Sequence, residues 1–104
     1  MEIKTIVVGP LQTNCYILTK NNQTLIIDPG DEPNKIINEI NKEVIGILIT
    51  HHHFDHIGAL NTIKEKYNCP VYDISNLKED INTIGLFSFK VIKTPGHKSD
   101  LVSY

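Results

Sequence analysis

Residues 44–49, Val-Ile-Gly-Ile-Leu-Ile, carry no polar side chain, and the chain passes from them directly into Thr50-His51-His52-His53-Phe54-Asp55-His56. An apolar run without alternation suits a strand covered on both faces, as in the interior of a layered α/β arrangement. It is far shorter than the ~20 apolar residues that span a bilayer. The run therefore demands packing layers above and below one strand, and it delivers a cluster of polar side chains to that strand's end.

The flanking sequence supplies candidates for those layers. Residues 3–8, 15–18 and 24–27 are short β-branched and aromatic runs, parted by Gly9-Pro10 and by Asn21-Asn22, which predicts an antiparallel meander. Asp28-Pro29-Gly30 stops the third strand. Pro33 suits a helix start, and Ile36, Ile37 and Ile40 fall on one helical face, so a first helix is expected over 33–41. A second helix is expected from Asp55, with Ile57, Leu60 and Ile63 at helical spacing, ending at Asn68-Cys69-Pro70. Residues 71–74 and 86–93 read as further strands, 75–85 as a polar connection without pattern, and 101–104 as the start of another strand.

Composition narrows the classes of function. With 104 residues, 40% of them hydrophobic and 21% charged, the chain has the size and balance of one globular domain. Every basic residue is lysine and the net charge is −2, so no guanidinium forks and no cationic surface are present to grip phosphates; nucleic acid is not an expected partner. The N-terminal residues lack the pattern of a secretory signal, which gives cytoplasmic location and no membrane association as expectations. Cys15 and Cys69 have neither metal-type spacing nor the density of a disulfide scaffold and read as buried free thiols.

All five histidines fall in two places, four within 51–56 and His97 after Thr94-Pro95-Gly96. In extended chain, side chains alternate, so His51, His53 and Asp55 project to one side and His52 and Phe54 to the other. A change of direction near Asp55 turns His56 back toward the same volume. Taken singly, each has a plainer reading: a solvated loop, a helix cap at Asp55, a surface turn at His97. Taken together, the His-x-His-x-Asp-His order after an apolar strand and a second histidine turn after another strand point to metal. Imidazole and carboxylate without thiolate suit Zn²⁺, with Fe or Mn²⁺ as alternatives, as one or two ions with positions left open for water.

Thr50-His51-His52-His53-Phe54-Asp55-His56-Ile57-Gly58 resembles the signature of the metallo-β-lactamase superfamily, and most closely that of its glyoxalase II-type hydrolases. Leu11-Gln12-Thr13-Asn14-Cys15-Tyr16, Leu25-Ile26-Ile27-Asp28-Pro29-Gly30 and Lys93-Thr94-Pro95-Gly96-His97 resemble, in order, other segments of that family. The resemblance implies an α+β fold, the αββα sandwich, of which this chain supplies about the first half: a mixed β-sheet with two helices. It implies that His51, His53 and His97 hold one metal, that Asp55 and His56 belong to a second, that Asp55 orients a metal-bound hydroxide in hydrolysis, and that Asp28 is a buried support and not a ligand. It also implies a small-molecule substrate, a thioester or small ester as for hydroxyacylglutathione hydrolases. No Ser- or Cys-centred nucleophile motif competes with that chemistry.

The family pattern continues past the third histidine with an aspartate shared by both metals and a last histidine. Asp100 lies too near His97 for that role, and no histidine follows. The apolar, strand-like end at 101–104 leads us to expect an N-terminal portion of a domain, inactive or a metal-binding assembly module by itself. An open sheet face and edge lead to an expectation of self-association, which sedimentation would test.

Overall fold

The structure, a computed structural model, describes residues 1–10, 12–50, 59–73, 81–93 and 99–103; for 90–93 and 99–103 it describes the backbone alone. Three strands open the chain: β1 (Glu2–Val8), β2 (Thr13–Lys20) and β3 (Gln23–Ile27). They form the expected antiparallel meander. Lys20 pairs with Gln23, so Asn21-Asn22 is a two-residue hairpin turn, with Asn21 in the left-handed region at φ 54°.

β4 (Glu43–Ile49) then pairs parallel to β3, and β5 (Val71–Asp73) parallel to β4, giving a five-stranded mixed sheet in the order β1-β2-β3-β4-β5. Parallel neighbours need crossover connections. Helix α1 (Pro33–Ile37) lies in the first of these and α2 (Leu60–Tyr67) in the second. Both helices pack on one face, where Ile36 and Ile63 join Ile6, Val8, Cys15, Ile17, Ile26, Ile47 and Ile49 in one core.

On the opposite face lies a three-stranded antiparallel sheet, β6 (Ile81–Ile84), β7 (Phe87–Lys93) and β8 (Ser99–Ser103). Ile84, Phe87 and Phe89 meet Leu18, Leu25, Ile27 and Leu48 in a second core. The apolar run in β4 is thereby explained: Ile47 and Ile49 point to the helices and Leu48 to the second sheet, all at most 1% exposed. The layers are helices, mixed sheet and second sheet, about the first half of an αββα sandwich.

Two expectations change in detail. The first helix ends at Ile37, not near Asn41, because Glu39 N–H and Ile40 N–H turn to the carbonyls three residues back, Ile36 and Ile37, at 3.0 Å each. That tighter winding keeps Ile40 against the core without another α-helical turn. Residues 81–84, read as part of a connection, form β6; only Ile84 among them is buried, so apolar alternation is weak and the pairing with β7 makes the strand. Exposed apolar side chains lie on both sheets: Ile3 and Val7 of β1 stay 56% and 45% exposed, and Ile81 of β6 58%. The predicted onset of the second helix at Asp55 lies outside the described residues.

Candidate metal centre

β3, β4 and β5 run in the same direction, so their C-terminal ends share one edge of the mixed sheet. That edge receives Asp28 after β3 and Thr50 after β4. In open α/β sheets, loops beyond the carboxyl ends of parallel strands are where ligand sites form.

Asp28 is the organising residue there. It is 4% exposed and has φ 56°, a conformation that Asp tolerates better than most residues. Its backbone N–H donates to Leu48 O at 3.0 Å, continuing the β3–β4 pairing by one step. One carboxylate oxygen, Oδ1, accepts the Thr50 N–H at 2.7 Å, and the other, Oδ2, accepts the Thr50 hydroxyl. Both oxygens thus face the residue just before His51, as suits a support for the histidine segment. The next residue holds the other side of that segment: Pro29 O accepts the N–H of Ala59 at 3.0 Å.

The predicted ligands themselves, His51, His53, Asp55 and His56, fall within 51–58, and His97 within 94–98; both stretches lie outside the described residues, as does His52. Thr50 and Ala59 flank the first stretch, Lys93 and Ser99 the second. Among the described residues no three His, Cys, Asp or Glu side chains gather as ligands for an ion. The donor set offered by sequence, four imidazoles and one carboxylate, is of a kind that suits a divalent transition metal, and the buried Asp28 bonds to Thr50, the residue directly ahead of four of the five.

Cys15, on the helix-facing side of β2, is fully buried and its thiol is pushed up to about 12, first by burial and then by the nearby Asp28 charge. Cys69 is also a buried free thiol, and burial raises it as well. Neither is a thiolate at neutral pH, which removes both as nucleophiles. Sequence reasoning missed Pro29 O, Glu32 and Lys35 as anchoring groups around this edge. A backbone carbonyl leaves no trace in residue identity, and nothing in the sequence sets Glu32 and Lys35 apart from other charged residues near a helix start.

The sequence pattern of the metallo-beta-lactamase superfamily matches residues 8–79. The probable metallo-hydrolase YqgX of Bacillus subtilis (strain 168) is 36% identical over 138 aligned positions, which cover 100% of this chain and 65% of that protein. A hydroxyacylglutathione hydrolase of Marinomonas sp. (strain MWYL1) is 43% identical over 89 positions, covering 75% of this chain and 35% of its own length. Among solved structures, the BLEG-1 B3 metallo-beta-lactamase superposes with a TM-score of 0.84 at 29% identity, covering 99% of this chain and 66% of that one. TTHA1623, solved in a di-iron-bound form, gives 0.72 at 28% identity over 97% of this chain and 66% of that one. The chain thus spans 65% or less of the length of these two curated relatives. From the profile match across residues 8–79 and the shared layer order, the chain belongs to the metallo-beta-lactamase superfamily.

Proposed function

We propose that this chain carries the metal-binding segment of a metallo-hydrolase of the glyoxalase II-like kind, acting on a thioester or small ester. The observation that carries the reading is the hydrogen-bonded pair formed by buried Asp28 and Thr50, directly ahead of His51-x-His53-x-Asp55-His56. His51, His53 and His97 would hold one ion, and Asp55 and His56 would contribute to a second. Zinc fits the donors, and iron fits them too; the latter is the metal in the TTHA1623 structure.

When bound, such ions bring the pKa of water to near 7 and polarise a carbonyl. The chain's own part is to hold the donors and to move a proton. Asp55, adjacent in sequence to His56, would accept a hydrogen bond from the attacking water and fix its direction toward the carbonyl carbon. The position of β7 supports the arrival of His97 at the same edge. The β6–β7 turn packs against Gln23 and Ile45, at the beginnings of β3 and β4. From there β7 runs seven residues, as β4 does, about 23 Å at the rise of a strand.

The test measures bound metal and hydrolysis of an acyl-glutathione thioester before and after exhaustive chelation. Near two ions per chain, with turnover lost on chelation and regained on adding zinc, supports the reading. Turnover undiminished in metal-free protein rejects it. One ion or fewer per chain and no thioester hydrolysis would instead support a metal-binding module without turnover.

A further inference from the structure

Residues 28–35 touch three separate parts of the chain, and two of the side chains involved have no place in the metal reading. Asp28 holds Thr50, and Pro29 O holds Ala59. Further along, Glu32 Oε2 accepts the N–H of Gly9 at 2.9 Å, and Lys35 Nζ donates to Val7 O at 2.6 Å. Asp31 lies so close to Gly9 that a Cβ there would come within 2.9 Å of Oδ2. The β1–β2 turn is closed by its own bond, Gln12 N–H to Gly9 O at 3.1 Å, with Gly9 and Gln12 both in the left-handed region.

Glu32 itself has φ 48° and ψ 63°, a left-handed conformation that a residue with a side chain keeps only where its surroundings hold it. Here they do, through Gly9 on one side and Asp31 Oδ1, which accepts the Glu32 N–H at 2.7 Å, on the other. The stretch is therefore fixed at its far end by the β1–β2 turn and at its near end by β3. Between the two lie Asp28 and Pro29, consecutive residues that grip opposite ends of the histidine segment.

We propose that Glu32 and Lys35 are positioning residues: by pinning the β1–β2 turn to the start of α1, they hold the Asp28-Pro29 pair and so fix the separation of Thr50 from Ala59. A loop of ligands whose ends are held in place has less freedom to lose on binding an ion, and supporting groups of this kind commonly change metal affinity. The metal arm of the test below rests on the proposed function; the exchange arm does not.

Amide hydrogen exchange of the metal-free chain, read by NMR, is compared for wild type, Glu32→Ala, Glu32→Gln and Lys35→Met, alongside zinc affinity from chelator competition. Glu32→Ala and Lys35→Met are expected to speed exchange roughly three- to tenfold at Gly9 and also at Thr50 and Ala59, with a weakening of zinc binding of similar size. Glu32→Gln keeps an oxygen acceptor for Gly9 and is expected to restore most of both. Faster exchange confined to Gly9 and Gln12 overturns the proposal, and so does coupled exchange with unchanged zinc affinity. A wild-type chain that takes up no zinc while Thr50 and Ala59 still respond to Glu32→Ala overturns the metal reading and leaves the coupling supported.

Discussion

At the scale of single residues, Asp28 and Cys15 are the two buried groups whose chemistry can be read from outside. Asp28→Ala removes the two carboxylate oxygens that accept from the Thr50 N–H and hydroxyl and places a Cβ-only residue at φ 56°. Loss of a charged acceptor from a part-buried N–H costs about 1–3 kcal/mol, with the left-handed backbone adding to it. Asp28→Asn keeps one carbonyl acceptor and tolerates the backbone, so urea denaturation is expected to place it between Ala and wild type. Equal midpoints for the two variants would show that the carboxylate does not matter. The Cys15 thiol, raised from 9.0 to about 12 by burial and then by Asp28, keeps its proton in the folded chain when the unfolded chain releases it. Its contribution is complete below pH 9 and declines from there toward pH 12, by about 1.4 kcal/mol per pH unit. Stability measured between pH 8 and 10.5 should therefore fall more steeply for wild type than for Cys15→Ala; parallel curves would remove the effect. The sequence named both cysteines as buried thiols, and free and buried is how they stand. It gave no hint of the Asp28 proximity, because Cys15 and Asp28 meet only once β2 pairs with β3.

At the scale of elements, apolar periodicity served well wherever a segment fills a core by itself, as in β2, β3 and β4. It failed where a partner makes the element: β6 buries one side chain and owes its form to β7. The turn between them is the informative part. Ile84 pairs with Phe87 around Gly85-Leu86, Gly85 has φ 55°, and Leu86 N–H donates to Gln23 Oε1 at 2.8 Å. A methyl on Gly85 would collide with Gln23 Oε1 and Ile45 Cδ1, so this turn is both a hairpin and the place where the second sheet docks on the first. Gly85→Ala is expected to cost about 1–3 kcal/mol through strain and overlap together. Thermal unfolding would check it, and a melting temperature equal to wild type would show that Gln23 and Ile45 move aside for the methyl at no cost. The boundary of α1 was legible only at its start, where Pro33 sits, because its end depends on i→i−3 hydrogen bonds that no residue type announces; α2 ends at Tyr67 with Asn68 as its cap, where Asn68-Cys69-Pro70 announced it.

At the scale of the whole molecule, the two cores meet across one sheet, and the histidine motif, the Asp-Pro-Gly turn and the apolar strand were enough to name the family and its layer order. What could not be read was which face stays open. The mixed sheet is covered at its centre, while β1 is an edge strand among the described residues, with Ile3 and Val7 exposed on the face away from the helices. Unpaired strand edges are self-complementary in a two-fold antiparallel pairing. Centred on Thr5, such a pairing sets Ile3 of one copy opposite Val7 of another. Self-association is expected to weaken in the double variant Ile3→Lys with Val7→Lys, seen as a lower weight-average mass in sedimentation at equal concentration. An unchanged mass would exclude this edge.

The order of pairing in the mixed sheet has a consequence for how the chain reaches this form. β1, β2 and β3 are joined by tight turns and can zip together from neighbouring residues, whereas β4 joins β3 only after a crossover has been closed, and β5 after a second. Contacts between distant stretches form late in folding. The grip of Asp28 on Thr50 needs the first crossover complete, so Thr50, the residue ahead of the histidines, is fixed after the meander has paired. An ion would then arrive at a scaffold already assembled, as a passenger and not as the template that guides the polypeptide home.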